Sequence, residues 1–270
     1  MTGSFDRHTT IVGDDGAFTA TLDRSFEIWG PNGGYLSAIA LRAADATAAA
    51  GHRPASITVQ YIGRAQFGAV EVAIETVRTG ASALFFVTMT QGGTRFLVAQ
   101  VWTTARDSGP AGTALAMPDV ALPHDLEALE AAVARTGQPL NPFWQHFDVR
   151  VFGDPLARNP DDPRVLRWFR YRDFPADADL FLDAGRALLL IDTLVWPAHC
   201  RGLDEAPAYL APSLDVAAWF HAARGGEWLL LDVAADQAGG GLIHGTARVW
   251  GLDGRLVAAG ASGLAVLPPR

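Results

Sequence analysis

The same plan is written twice along this 270-residue chain, and that repeat constrains the fold more than any other feature. Gly30-Pro-Asn-Gly-Gly34 supplies a turn, and strong helix formers follow from Tyr35 to Ala50, with Leu36, Ile39, Ala40 and Ala43 on one apolar stripe. Beyond Gly51 and Pro54 the period drops to two. Ile57, Val59 and Tyr61 alternate with Ser56, Thr58 and Gln60, and Val70, Val72 and Ile74 alternate with Glu71, Ala73 and Glu75, as half-buried strands do. Two more β-rich runs, Leu84 to Thr90 and Arg95 to Thr103, flank the hairpin signal Gln91-Gly-Gly93. After a stretch of Pro, Gly and Ser broken by a short acidic helix around Leu126 to Ala134, the plan recurs. Strands near 147–152 and 165–171 precede a helix over about 177–195, with Pro175 and Asp177 as start signals and Leu180, Ala184, Leu188, Ile191 and Val195 on one face. Strands at about 213–220, 227–235, 242–250 and 255–267 complete the second copy.

The letters repeat as well as the pattern. Pro54-Ala-Ser-Ile-Thr-Val-Gln-Tyr-Ile62 parallels Ala211-Pro-Ser-Leu-Asp-Val-Ala-Ala-Trp-Phe220, and Gly93-Thr-Arg-Phe-Leu-Val-Ala99 parallels Gly254-Arg-Leu-Val-Ala258. A spacing of about 160 residues is too long for a solenoid, so the chain is a duplicated domain. The expected division is 1–110, a linker over 111–144, and 145–270. One long helix followed by four antiparallel strands must bury its stripe against the sheet. The fold class is therefore α+β: two tandem halves, each a helix wrapped by an antiparallel sheet, related by a pseudo-twofold.

Composition narrows the function. With 49% hydrophobic and 19% charged residues the chain is neither disordered nor fibrous. A net charge of −8 without a Lys/Arg cluster argues against nucleic acid as a partner. The most apolar stretch, Ala187 to Pro197, is shorter than the ~20 residues of a membrane span and contains Asp192, so it is expected to be a buried helix. The N-terminus lacks a signal pattern and there is one cysteine, which points to the cytoplasm. Seven scattered histidines offer no metal-ligand spacing, so no metal is expected.

The arrangement resembles the hotdog fold, and its tandem copy resembles the double hotdog of the acyl-CoA thioesterase II type, in the thioesterase-like superfamily. The residues that carry the likeness are Trp29-Gly-Pro-Asn-Gly-Gly-Tyr35, Tyr61-Ile-Gly-Arg-Ala65, Ser213-Leu-Asp-Val-Ala-Ala-Trp-Phe-His221, Glu227-Trp-Leu-Leu-Leu231 and Asp253-Gly-Arg-Leu-Val-Ala258. The resemblance implies an acyl-CoA substrate, no cofactor, and an Asp, a Thr and a Gln from the second hotdog that hold the attacking water. Position by position, the Asp falls on Asp215, the Thr on Asp236, and the Gln where this chain has Gly260-Ala-Ser-Gly263. Two of the three positions differ, which keeps open the alternative of a catalytically silent double hotdog that binds acyl-CoA or serves in assembly.

Thioester hydrolysis needs a base to activate water and donors aimed at the oxyanion. Asp215, a carboxylate in an otherwise apolar strand, is the candidate base, and Asp236 the candidate second carboxyl if the two converge. The backbone N–H groups of Asn32, Gly33 and Gly34 are candidate oxyanion donors, against the alternative of a tight turn that needs glycine for its backbone. Arg64, Arg78, Arg106 and Arg224 are candidates for the CoA phosphates, and His221 and His244 are isolated candidates for ligand contact. A hydratase pairing of Asp215 with His221 fails, because six strand residues separate them by roughly 20 Å. Neither Gly80-Ala-Ser82 nor Gly260-Ala-Ser262 completes a serine elbow, and Gly239-Gly-Gly leads into a strand, where it is expected to bend the sheet, rather than into a dinucleotide helix. Trp29, Tyr61, Trp102, Trp219 and Trp250 are expected to fill core and interface. Pairing of free sheet edges favours a dimer of double hotdogs.

Overall fold

The computed structural model describes residues 4–107, 115–174, 179–221, 224 and 226–267. The first half contains α1 (Ser4–His8), β1 (Val12–Asp14), β2 (Ala17–Leu22), α2 (Gly33–Thr47), β3 (Arg53–Tyr61), β4 (Gly68–Arg78), β5 (Ser82–Gln91) and β6 (Thr94–Thr104). The second contains β7 (Glu127–Ala128), α3 (Leu129–Ala134), β8 (Phe147–Val151), β9 (Arg164–Tyr171), α4 (Leu180–Ile191), α5 (Val195–Arg201), β10 (Ser213–Phe220), β11 (Trp228–Gly239), β12 (Leu242–Gly251) and β13 (Leu256–Ala265).

The strands form one sheet in the order β1-β2-β4-β5-β6-β3-β10-β13-β12-β11-β9-β8-β7. The order is palindromic about the antiparallel β3–β10 pair, where Thr58 faces Ala217. Each half contributes a five-strand block in the same sequence, β2-β4-β5-β6-β3 matched by β9-β11-β12-β13-β10, which is the expected duplication. The two sheets thus join through the edges that the dimer argument would have used. The remaining outer edges, β1 and β7, are three and two residues long and give that argument little to work with.

Both long helices lie inside the curve of the sheet and pack on each other. Leu36, Ile39, Leu188 and Ile191 are buried as expected, but burial is not confined to stripes. Described residues of α4 from Phe181 to Ile191 are all buried, because sheet covers one side and α2 the other. Two glycines allow that approach: a Cβ on Gly34 would lie 2.6 Å from the Leu189 Cα, and one on Gly185 would lie 3.4 Å from the Ala38 Cβ. These reciprocal contacts superpose α2 on α4 with Gly34 on Gly185. Likewise, β3 carries a bulge between Pro54 and Ser56 and β10 one between Ser213 and Asp215, which superposes Pro54 on Ser213 and Tyr61 on Phe220.

Three local expectations change. The second helix starts at Leu180, capped by Asp179 accepting from the Phe181 and Leu182 N–H groups at 3.0 and 2.9 Å, and it stops at Ile191 before α5 begins; Pro175 and Asp177 lie outside the described residues. Gly239-Gly-Gly does not bend the sheet. Gly240 and Gly241 form the β11–β12 hairpin turn with φ of 60° and 82°. The stretch between the halves is also more than a connection. Met117, Val120 and Leu126 pack on Trp168, Leu230 and Trp250, the Trp168 ring N–H donates to the Ala121 carbonyl at 3.0 Å, and Glu127–Ala128 adds a strand to β8.

Candidate active site at the junction of the two halves

α4 ends where α2 begins. Asn32 caps α2, its Oδ1 accepting from the Tyr35 N–H at 2.9 Å, while its own N–H donates to the Phe26 carbonyl at 3.0 Å. Against this N-terminus sits Asp192, the C-cap of α4 and a buried carboxylate from the other half. Its Oδ1 accepts from the Ser213 hydroxyl at 2.8 Å and lies 3.0 Å from the Ser262 hydroxyl, whose single hydrogen is shared with the Asp215 carbonyl at 2.9 Å. Burial pushes Asp192 up to about 7, against the opposing pull of hydrogen bonds from Ser213, Ser262 and the Gly34 N–H. The other oxygen, Oδ2, faces the bare Cα of Gly33: a Cβ there would lie 2.5 Å from Oδ2 and 2.9 Å from the Tyr61 hydroxyl. Tyr61, from β3, completes the cluster, its hydroxyl 2.8 Å from Ser37 Oγ on α2. Burial and the nearby Asp192 charge hold the Tyr61 phenol well above its ordinary range.

The expected pair of carboxylates does not form. Val216, Ala218 and Phe220 of β10 point into the core and Asp215 alternates with them, yet this half-buried carboxylate lies near enough for its charge to help raise both Asp192 and Tyr61. Its Oδ1 accepts from the Gly263 N–H at 3.1 Å, and its backbone carbonyl accepts from Ser262 Oγ at 2.9 Å, so it braces the strand behind Asp192. Asp236 is exposed at a bulge on β11 and accepts from the Thr246 hydroxyl at 3.3 Å. β13 and β12 stand between β11 and β10, a separation of roughly 14 Å. Of the expected oxyanion donors, the Asn32 N–H is committed to Phe26 and the Gly34 N–H to Asp192, which leaves Gly33.

Other expectations fall away from this site. His221 and His244 are exposed, and neither joins Asp192. Arg224 pairs with Asp183 at 3.1 Å near the start of α4, Arg106 lies beside Arg53 at the start of β3, and Arg78 stacks on Trp102, whereas Arg64 follows Tyr61 at the site's end of the strand. Trp29 and Trp219 are exposed rather than core, while Trp250 is buried. No three His, Cys, Asp or Glu side chains among the described residues are grouped as a metal site requires.

A model of the acyl-CoA thioesterase C-terminal domain matches residues 118–261, and one of the N-terminal domain matches 22–104. The chain belongs to the acyl-CoA thioesterase family. None of the curated proteins matches the sequence. Among solved structures, a hotdog-fold protein of unknown function from Alicyclobacillus acidocaldarius is 23% identical with a TM-score of 0.85, each chain covered over 100% of its length. An acyl-CoA thioesterase II from Mycobacterium marinum is 24% identical with a TM-score of 0.80, covering 98% of this chain and 99% of its own. A dehydratase domain from Pseudomonas fluorescens aligns at 12% identity and a TM-score of 0.57 over 96% and 97%. At such identities the likeness establishes the double-hotdog fold, and the fold alone does not choose the chemistry.

For this member of the thioesterase family the pseudo-twofold gives a further check. The mates of Asp192, Ser213, Ser262 and Tyr61 are Leu41, Pro54, Val101 and Phe220. Among the described residues, a cleft beside them is lined by Pro54, Ala184, Phe220 and Val257 together with Arg53, Asp183 and His221. The Asp-Ser-Ser-Tyr cluster therefore occurs, among the described residues, at one of the two equivalent positions. Sequence reasoning missed Asp192, Ser213 and Ser262, although a lone carboxylate in the most apolar run is a signal that a partner awaits it.

Proposed function

We propose that this protein hydrolyses an acyl-CoA thioester, with Asp192 as the general base. The observation that carries the reading is a buried carboxyl at about 7 whose Oδ1 is held by the Ser213 hydroxyl beside Ser262 while Oδ2 is turned to the bare Cα of Gly33. A base poised near neutral pH combines a useful ionised fraction with proton affinity. Asp192 Oδ2 takes a proton from water as the water oxygen attacks the thioester carbon. The tetrahedral oxyanion that forms is met by the Gly33 N–H and the positive end of α2. Collapse breaks the C–S bond, and the proton held by Asp192 passes to the departing CoA thiolate. Asp215 is a positioning residue in this scheme, holding Gly263 and hence the strand that presents Ser262. Among the arginines, Arg64, three residues beyond Tyr61, is the one we assign to a CoA phosphate.

The test is release of free CoA from acyl-CoAs of graded chain length by the parent and by Asp192→Asn. The parent is expected to hydrolyse part of the series and the variant to lose roughly 10²–10⁴-fold. An Asp192→Asn variant as fast as the parent overturns the assignment of the base, and a parent that binds acyl-CoAs without hydrolysing any overturns the activity in favour of a silent binding protein.

A further inference from the structure

We propose that the Tyr61 oxygen is the second anchor of the attacking water, accepting one of its hydrogens while Asp192 Oδ2 accepts the other. This rests on the assignment of Asp192 as the base, and it follows from the direction of two hydrogen bonds. Ser37 Oγ lies 2.9 Å from the Gly33 carbonyl oxygen, and a carbonyl only accepts, so the single serine hydrogen is committed there. The Ser37–Tyr61 contact at 2.8 Å then has one arrangement: the tyrosine O–H donates to the serine. Its hydrogen points away from Asp192, and its lone pairs are left for the site. Tyr61 Oη and Asp192 Oδ2 both converge on the face of Gly33 where a side chain would otherwise stand, 2.9 and 2.5 Å from that point. The two oxygens are at most the sum of those distances apart, a span one water molecule bridges. A water with both hydrogens accepted has its remaining lone pairs turned outward, toward a thioester carbon seated at the start of α2. The base comes from the second half and the tyrosine from the first, so the water site needs both copies of the duplication.

Two variants separate this role from a packing role. Tyr61→Phe keeps the ring and removes the oxygen; kcat is expected to fall roughly 10–100-fold with little change in KM. Ser37→Ala leaves the tyrosine hydrogen without its acceptor, so it turns to Asp192 Oδ2. The carboxylate is then stabilised, the acid limb of the pH–rate profile moves to lower pH, and the rate falls because the acceptor for water is lost. Packing alone predicts neither the unchanged KM of the first nor the displaced limb of the second. A Tyr61→Phe variant with kcat within about twofold of the parent overturns the proposal, as does a Ser37→Ala variant whose acid limb stays in place. If Tyr61→Phe fails to fold, Ser37→Ala decides alone. Asp192→Asn, assayed beside them, tells the two ideas apart: full activity there overturns the base itself, whereas loss there with full activity in Tyr61→Phe overturns only the tyrosine.

Discussion

Adding one methyl group at Gly33 should act chiefly on the rate and one at Gly34 chiefly on stability, although the two residues are neighbours on one helix. Neither has a positive φ, so an alanine is compatible with the backbone at both. At Gly33 the new Cβ would lie 2.5 Å from Asp192 Oδ2, below the 3.0 Å that real contacts observe, so the carboxylate must move by at least about 0.5 Å, and it must do so against its hydrogen bond from Ser213. A catalytic group misplaced by about 1 Å costs up to ~10²-fold in rate, so Gly33→Ala should lower kcat/KM for acyl-CoA hydrolysis by roughly 10–100-fold. The Tyr61 ring, whose Cζ would lie 2.8 Å from the new Cβ, must give as well, so some loss of stability accompanies the loss of rate, smaller than at Gly34 because no backbone is struck. At Gly34 the new Cβ would lie 2.6 Å from the Leu189 Cα and 2.8 Å from its carbonyl oxygen, so two helices must part. Overpacking against backbone costs about 1–3 kcal/mol, which for a chain of this size lowers Tm by roughly 2–4 °C per kcal/mol. Thermal unfolding and free-CoA release on both variants are the assays. A Gly33→Ala enzyme as active as the parent, or a Gly34→Ala protein as stable, would refute the geometry argued above.

Truncating Ile39 or Ile191 to Ala, both fully buried between helix and sheet, should cost roughly 2–5 kcal/mol by urea unfolding, and a loss under about half a kcal/mol would mean the helices do not lie inside the sheet. Asp192 should also leave a mark on stability. Its folded value of about 7 is raised from the ordinary 3.8, so its favourable contribution is complete below about pH 4 and is lost as pH rises through 7. Between those limits the parent should lose on the order of 4 kcal/mol more than Asp192→Asn, read from urea unfolding across that range, and parallel curves would contradict the shift. Asp236→Ala should leave hydrolysis within about twofold, since the residue is exposed and three strands away; a large loss would place chemistry at β11.

The fold was legible because two periodicities, each appearing twice, leave few ways to bury their apolar faces. Ile57 and Val59, or Leu188 and Ile191, announce their faces without any tertiary knowledge. The site was less legible, for reasons that differ by residue. Asp192 ends an apolar helix, and only the fold shows that this end abuts the start of α2. Ser213 and Ser262 are ordinary strand residues until the bulge at Ser213/Asp215 turns Ser213 inward. Asp215 drew attention as the one carboxylate in its strand, but period two puts it on the far face from Val216. Counting along β11 to Asp236 ignored the bulge between Ala235 and Gln237, which leaves that residue outside the ladder. Gly33 was legible as a candidate oxyanion donor, whereas the commitment of Gly34 to Asp192 depends on a contact between halves.

The most direct test of the central claim is the pH dependence of kcat/KM for an acyl-CoA that the parent hydrolyses. With Asp192 as the base, the profile should rise with unit slope, bend at an apparent pKa near 7 and level above it, and Asp192→Asn should lose both the rate and the bend. A parent profile that is already level at pH 5, or an Asp192→Asn profile that retains the bend near 7, would contradict the account.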